Sequence, residues 1–308
     1  MKILISGASG VLGTALTARL EEENHEVVRL VRRAATSPEE VSWDPSAGVL
    51  DPAAFDGVDV VVNLSGAGIG DKRWSEARRR VIVSSRIDTT GLLATTMAGL
   101  EAPPSLFVSQ SAMGYYGDRG DDIMTEASDP GPSDDFSTKV VIDWEAAADP
   151  ARKAGIRVIH PRTTIVLVPG VQFLGRLVPL FKMGLGGKIG DGTQWWSWIA
   201  QADWVRAMML LIGSGLGGPV NLSAPNPVRN SEFTEVLGDV LGRPTVFTVP
   251  RFAIRTVMGR EMADQIPLSS TRVIPERLLA EEFDFSYETI DEALVALLGS
   301  GPSTSTAT

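Results

Sequence analysis

The 308-residue chain contains no cysteine. That absence excludes disulfides, thiolate nucleophiles and cysteine-ligated zinc, and it suits a reducing compartment. Histidine is nearly missing as well: there are two, His25 and His160, so a histidine-built metal centre is not expected. Basic side chains are outnumbered, 28 Lys and Arg against 38 Asp and Glu, for a formal charge of −10. Binding a nucleic-acid backbone needs a basic surface that displaces counterions, so no nucleic acid is expected as a partner. Small anionic ligands stay open, because they need only a local pocket. Long apolar runs are lacking too. The run Met208–Ile212 is far below the ~20 residues of a bilayer span. The first strand starts at Lys2, which leaves no room for a secretory signal. A cytoplasmic protein without a membrane partner is the expectation.

What is present begins at the first residue. Lys2–Ser6 reads as a short strand, glycines follow at 7, 10 and 13, Thr14–Glu23 reads as a helix, and Val27–Val31 as a second strand. Gly7 permits a tight bend, Gly10 lets backbone approach a pyrophosphate, and Gly13 lets the helix lie close to the strand. The helix N-terminus adds free N–H groups and a positive dipole end around Ser9, Val11 and Leu12. A dinucleotide seat is expected there. The second strand ends in Arg32-Arg33, where an acidic residue would bind a ribose 2′-hydroxyl. Guanidinium groups instead suit a 2′-phosphate, so NADP(H) is the expected cofactor.

The G-x-x-G-x-x-G spacing resembles the extended short-chain dehydrogenase/reductase superfamily. That resemblance implies that Asn63, Leu64, Ser65 and Gly66, after a strand beginning near Val58, pass beneath the adenosine and ribose. It places Arg86 where these enzymes carry an active-site Asn; the Arg reads as a contact to a cofactor phosphate, as a contact to an anionic substrate, or as a surface ion pair. Ser111, at the end of the strand Ser105–Gln110, matches the catalytic Ser, with a strand-end cap as the other reading. Tyr116-Gly117 resembles the Tyr-Gly that follows.

Then the pattern breaks. These enzymes use a Tyr followed four residues later by a Lys, whose charge lowers the phenol pKa for proton transfer. Here the Tyr slot falls near Phe136 or Ser137 and the Lys slot near Val140 or Val141. The three tyrosines, Tyr115, Tyr116 and Tyr287, are followed at that distance by Arg119, Gly120 and Asp291. No such pair exists anywhere in the chain. Tyr115 or Tyr116 is left as the nearby phenol.

Beyond the sixth strand, Ile156–Pro161, the chain becomes richer in Gly, Pro and Trp. Trp195, Trp196 and Trp198 read as the floor of a substrate pocket or as core packing of a small lobe. Asp203 is expected to cap a helix starting at Trp204. Pro219–Leu222 reads as a strand, and Ser231 and Gly242 as the ends of a helix. Phe252–Met262 and Thr289–Leu298 read as further helices.

The blocks GASGVLG, NLSG, SSRI, SQSAMGYYG, WEAAA, QWWSWI, NLSAPNPVRNSEF and RVIPERLLAEEF narrow the match. From Met1 to about Leu298 the chain resembles NAD(P)-dependent epimerase/dehydratase-like proteins with a C-terminal domain of unknown function, a group that also lacks the Tyr-and-Lys pair. Gln201 and Pro169-Gly170 depart from its usual residues. The expected fold is α/β: a Rossmann-type doubly wound parallel sheet with a smaller C-terminal α/β lobe. Residues 1–165, with the chain returning near 198–225, would bind the nucleotide; residues 166–299 would form the substrate-side lobe, and 300–308 a disordered tail. The resemblance implies an oxidoreductase or epimerase acting on a small polar, sugar-like molecule, with a homodimer as a further expectation. The missing acid–base pair supports an alternative, a non-catalytic NADP(H)-binding sensor or interaction protein.

Overall fold

The computed structural model describes residues 1–299; the tail expected over 300–308 lies outside the described residues. The alternation of apolar side chains in the first strand sets the architecture. In β1 (Lys2–Ser6), Ile3 and Ile5 enter one apolar cluster and Leu4 enters another. Both faces of the strand are therefore covered, as a parallel sheet requires. The same division recurs in β4 (Val60–Asn63) and β5 (Leu106–Ser109): Val60, Val62, Leu106 and Val108 face one way, Val61 and Phe107 the other.

The remaining strands of this sheet are β2 (Glu26–Val31), β3 (Glu40–Ser42), β6 (Arg157–Thr163) and β7 (Gly218–Leu222). Their spatial order is β3-β2-β1-β4-β5-β6-β7, all parallel, with the two-residue strand Ser111–Ala112 also paired to β6. The order reverses at β1, so a crevice opens at the carboxyl ends of β1 and β4, the switch point where such sheets bind ligands. The fold is the expected Rossmann-like α/β sheet.

Helix α1 (Val11–Glu22) covers one face through Leu16 and Leu20, and α2 (Glu76–Ala98) covers the other through Leu93, Ala94 and Met97. Helix α3 (Phe136–Ala146) packs beside α2; Trp144 Nε1 donates to Thr90 Oγ1 at 2.9 Å. The second lobe contains α4 (Gln172–Lys182), α6 (Asn230–Leu241), α7 (Arg251–Met258) and α9 (Ile290–Leu298), while α5 (Gln201–Gly213) returns to the α1 face of the sheet through Trp204, Met208 and Leu211. No helix among the described residues is long and apolar enough to cross a membrane.

Several boundaries differ from the sequence expectation. Helix α5 starts at Gln201, not Trp204, with Ala200 at its N-cap. Asp203 lies inside the first turn, fully buried, and accepts the backbone N–H groups of Ser286 and Tyr287 at 2.8 and 3.1 Å. It fastens a distant segment instead of capping its own helix. Helix α6 begins at Asn230 with Arg229 at the N-cap, so Ser231 is helical, but Gly242 closes it in the left-handed conformation at φ +61°. The helix expected over 252–262 is two helices, α7 and α8 (Arg260–Gln265), separated by Gly259 at φ +86°.

Candidate functional site

The turn after β1 is shaped by sterics. Gly7 has φ +75°, and a Cβ there would stand 2.7 Å from the backbone of Leu64 in the loop after β4. No other residue satisfies both constraints. A Cβ on Gly13 would lie 2.8 Å from Ala8 Cα and nearer still to the Gly7 carbonyl oxygen. Gly10 is the N-cap of α1; no side chain caps this end and no acidic residue occupies its first turn. The first N–H groups of α1, at Val11, Leu12 and Gly13, therefore present an uncompensated positive dipole end beside Ser9.

A cleft of about 920 Å³ opens at this turn and runs between Leu64–Ala67 and the end of β2 to Trp43. Gly7, Ser9, Gly10, Leu64, Ser65, Gly66, Arg32 and Arg33 all line it, so the structure brings the two ends of the expected nucleotide site into one groove. The two arginines differ. Arg33 is held by Glu40 through Nη1 and Nη2 at 2.8 and 2.6 Å. The guanidinium, helped by Thr36, holds the Glu40 carboxyl down to about 2. Arg32 is exposed and makes no ion pair or side-chain hydrogen bond among the described residues. A groove with bare backbone at one end and a free guanidinium at the other fits a dinucleotide carrying an extra phosphate.

Ser111 and Tyr116 meet in a different environment. Ser111 Oγ donates to Glu145 Oε1 at 2.6 Å, and Arg162 grips the same carboxylate through Nε at 2.8 Å and Nη2 at 2.9 Å. Arg162 Nη1 also donates to the Tyr116 hydroxyl at 3.1 Å, which in turn donates to Asn221 Oδ1 at 2.7 Å. Ser111 and Tyr116 are buried. Burial pushes the Tyr116 phenol up to about 12, against the opposing pull of Arg162. Burial also acts to raise Glu145, but Arg162 and His160 outweigh it and the carboxyl stays below its ordinary range. Tyr115 is half-buried: its ring lies 3.4 Å from the Arg162 guanidinium, and its hydroxyl has no partner among the described residues.

The slot vacated by the Tyr-and-Lys pair is filled with protein. Val140 and Val141 are buried on α3, and Ser137 donates to Gln265 Oε1 at 3.0 Å. The turn at Gly114 lies against this face; a Cβ there would meet Val141 Cγ2 at 3.5 Å and Ser137 Cβ at 3.8 Å.

The tryptophans divide. Trp196 and Trp198 are buried in the second lobe, Trp196 edge-on to Phe173 and Phe233 at 5.3 and 5.4 Å. Packed this way they are core and present no pocket floor, which corrects the pocket reading for these two. Trp195 is half-buried between Arg229 and Arg272 and donates to Asp121 at 2.8 Å. Arg86 is no surface ion pair: its Nη1 bonds the carbonyls of Ala67 and Ile82 at 3.0 and 3.1 Å. The Glu145–Arg162 linkage escaped the sequence reading, which assigned neither residue to the site.

Comparisons with known proteins show the family. The NAD dependent epimerase/dehydratase family matches residues 3–222, and a domain of unknown function, DUF1731, matches residues 249–297. Epimerase family protein Mb2239 of Mycobacterium bovis is 42% identical over 293 residues, 95% of this chain and 96% of that protein. The crystal structure of human epimerase family protein SDR39U1 (isoform 2) with NADPH superposes with a TM-score of 0.86 at 31% identity, covering 97% of this chain and 99% of the human one. A nucleoside-diphosphate sugar epimerase from Corynebacterium glutamicum gives a TM-score of 0.80 at 36% identity, over 97% of this chain and 58% of that protein. The chain belongs to the NAD-dependent epimerase/dehydratase family and carries the DUF1731 domain toward its C-terminus.

Proposed function

We propose that this protein binds NADP(H) in the cleft between β1, β2 and β4 and is an epimerase/dehydratase-like oxidoreductase for a small polar, sugar-like substrate. The observation that carries the reading is the unpaired Arg32 at the far end of a cleft whose near end is the bare N-terminus of α1. The similarity to a human protein crystallised with NADPH supports it. The turn Gly7–Gly13 would hold the pyrophosphate, Leu64–Gly66 would lie along the adenosine ribose, and Arg32 would pair with the 2′-phosphate. When bound, the cofactor supplies hydride transfer. Residues 1–165 with the returning 198–225 form the nucleotide side in this reading, and 166–299 the substrate side.

The chain's own residues must move the proton. Tyr116 is poorly suited, because a phenol near 12 with both hydroxyl bonds engaged releases no proton at neutral pH. Tyr115 has a hydroxyl without a partner among the described residues and is the phenol free to bond a substrate oxygen. Ser111 serves by fixing Glu145 and through it Arg162.

A second reading, a non-catalytic NADP(H) binder, is favoured by one observation: the usual acid–base slot is packed with Val140, Val141 and Gly114. Titration of the protein with NADPH and NADH, followed by Trp-to-nicotinamide energy transfer, tests both. The expected result is tight NADPH, weak NADH and loss of the preference, at least tenfold, in Arg32→Ala. Equal affinities for the two nucleotides in wild type would remove the NADP(H) assignment. NADPH oxidation by candidate sugars or aldehydes, together with interconversion of candidate sugar epimers in the presence of NADP⁺, then separates enzyme from binder.

A further inference from the structure

We infer that Arg86 anchors a second anion site, for a carboxylate or phosphate borne by the substrate, separate from the phosphate seat at the Gly7–Gly13 turn. The inference deepens the proposed function and rests on it for the identity of the neighbouring cofactor.

Helix α2, capped by Ser75, carries Arg78, Ile82 and Arg86 at four-residue spacing and therefore on one face. This face lies against the loop that follows β4. Arg78 Nη2 bonds the Gly68 carbonyl, Arg86 Nη1 bonds the Ala67 carbonyl, and Ser85 Oγ accepts the Ala67 N–H. The Arg86 guanidinium is also stacked 5.0 Å from the Trp144 ring centroid. A Cβ at Gly66 would stand 3.4 Å from its Cζ. The group is pinned by one nitrogen, while Nε and Nη2 have no partner among the described residues.

The local charges do not balance. Arg78, Arg86 and Arg176 converge on residues 67–71, and the carboxylate paired there is Asp71, 3.6 Å from Arg78 and 3.0 Å from Arg176. Arg73 bonds the carbonyls of Thr256 and Val257 at the end of α7, and Arg86 bonds only carbonyls. Arg78 Nε is buried without a hydrogen-bond partner among the described residues. This excess of positive charge stands in a protein of formal charge −10. Burial, reinforced by Arg78, pushes Arg86 down to about 10, so it stays protonated at neutral pH. A half-buried cation without a counter-ion among the described residues has lost part of its hydration, and an oxyanion that reaches Nε and Nη2 replaces it with paired hydrogen bonds.

The placement favours substrate over cofactor. Gly66, Ala67 and Ser85 form a wall of the nucleotide cleft, whereas Arg86 itself is not among its lining residues. Arg176 and the Val257 carbonyl come from the second lobe. The arginines therefore gather where the cleft wall meets that lobe.

The test uses full-length wild type, Arg86→Gln and Arg86→Lys, each saturated with NADPH and titrated with inorganic phosphate and, separately, with malonate by calorimetry. Both anions are expected to bind wild type, at least tenfold more weakly to Arg86→Gln, and with intermediate affinity to Arg86→Lys. NADPH affinity should change less than threefold across the three. Equal anion affinity in wild type and Arg86→Gln overturns the site. A tenfold loss of NADPH affinity in Arg86→Gln with anion binding unchanged also overturns it and gives Arg86 to the cofactor phosphates. If wild type binds no NADPH, the cofactor reading fails by itself, and the same titrations on unloaded protein still decide Arg86. Should Arg86→Gln not fold, Arg78→Gln replaces it: a threefold or greater loss of anion affinity supports the site, and no loss overturns it.

Discussion

Replacing Glu145 by Gln isolates the charge at the centre of the buried network. The substitution keeps the side-chain volume but puts an amide where Arg162 now has two carboxylate oxygens at 2.8 and 2.9 Å. The Arg162 side chain is 4% exposed, so water cannot replace the lost partner. Breaking a buried pair from one side costs about 3–5 kcal/mol. At roughly 2–4 °C per kcal/mol for a chain of this size, melting should fall by about 10 °C. Thermal unfolding followed by circular dichroism reads this directly. Removing both charges, in Glu145→Gln/Arg162→Met, should cost much less than the two single losses added together. Acid supplies an independent check. The folded Glu145 carboxyl lies below its unfolded value, so its contribution is complete above the unfolded pKa of about 4.3 and disappears as pH falls through the lower folded one. The difference in melting temperature between wild type and Glu145→Gln should therefore narrow on acidification. A Glu145→Gln protein that melts within 1–2 °C of wild type at pH 7, or single losses that simply add, would refute the reasoning.

Gly13→Ala should weaken NADPH binding at least tenfold and lower the melting point, because its Cβ has no space beside Ala8 and Gly7; unchanged binding and melting would show that the turn yields without cost. Tyr116→Phe leaves Asn221 Oδ1 and Arg162 Nη1 each short of a partner and should cost about 1–3 kcal/mol in urea unfolding. Tyr115→Phe should leave stability unchanged within about 0.5 kcal/mol while lowering turnover on any substrate that the screen yields; the reverse pattern would exchange the roles of the two phenols.

Much of the nucleotide half was legible from local pattern. The apolar alternation in Lys2–Ser6, the three glycines and the helix behind them specify strand, turn and helix through short-range sterics. The region before β4 was not legible. Its strand Glu40–Ser42 has three residues, too few for a period, and Trp43 becomes buried only because the sheet extends past β2. The two arginines after β2 looked equivalent in sequence; Glu40, brought alongside by that third strand, engages one and leaves the other free.

The same division runs through the rest of the chain. The sequence by itself determined the parallel α/β class, the dinucleotide turn and the loss of the Tyr-and-Lys pair, because periodicity, glycine sterics and the identities of a few residues are local properties. Only the tertiary structure decided where the polar groups end up. It drew Ser111 and Tyr116 into a closed network with Glu145 and Arg162, packed Trp196 and Trp198 into a core, and left Arg86 half-buried without a counter-ion among the described residues. Those outcomes depend on which strands and helices lie side by side. The partners are separated by 17 residues between Glu145 and Arg162 and by 105 between Tyr116 and Asn221, and no local pattern records a pairing across such distances.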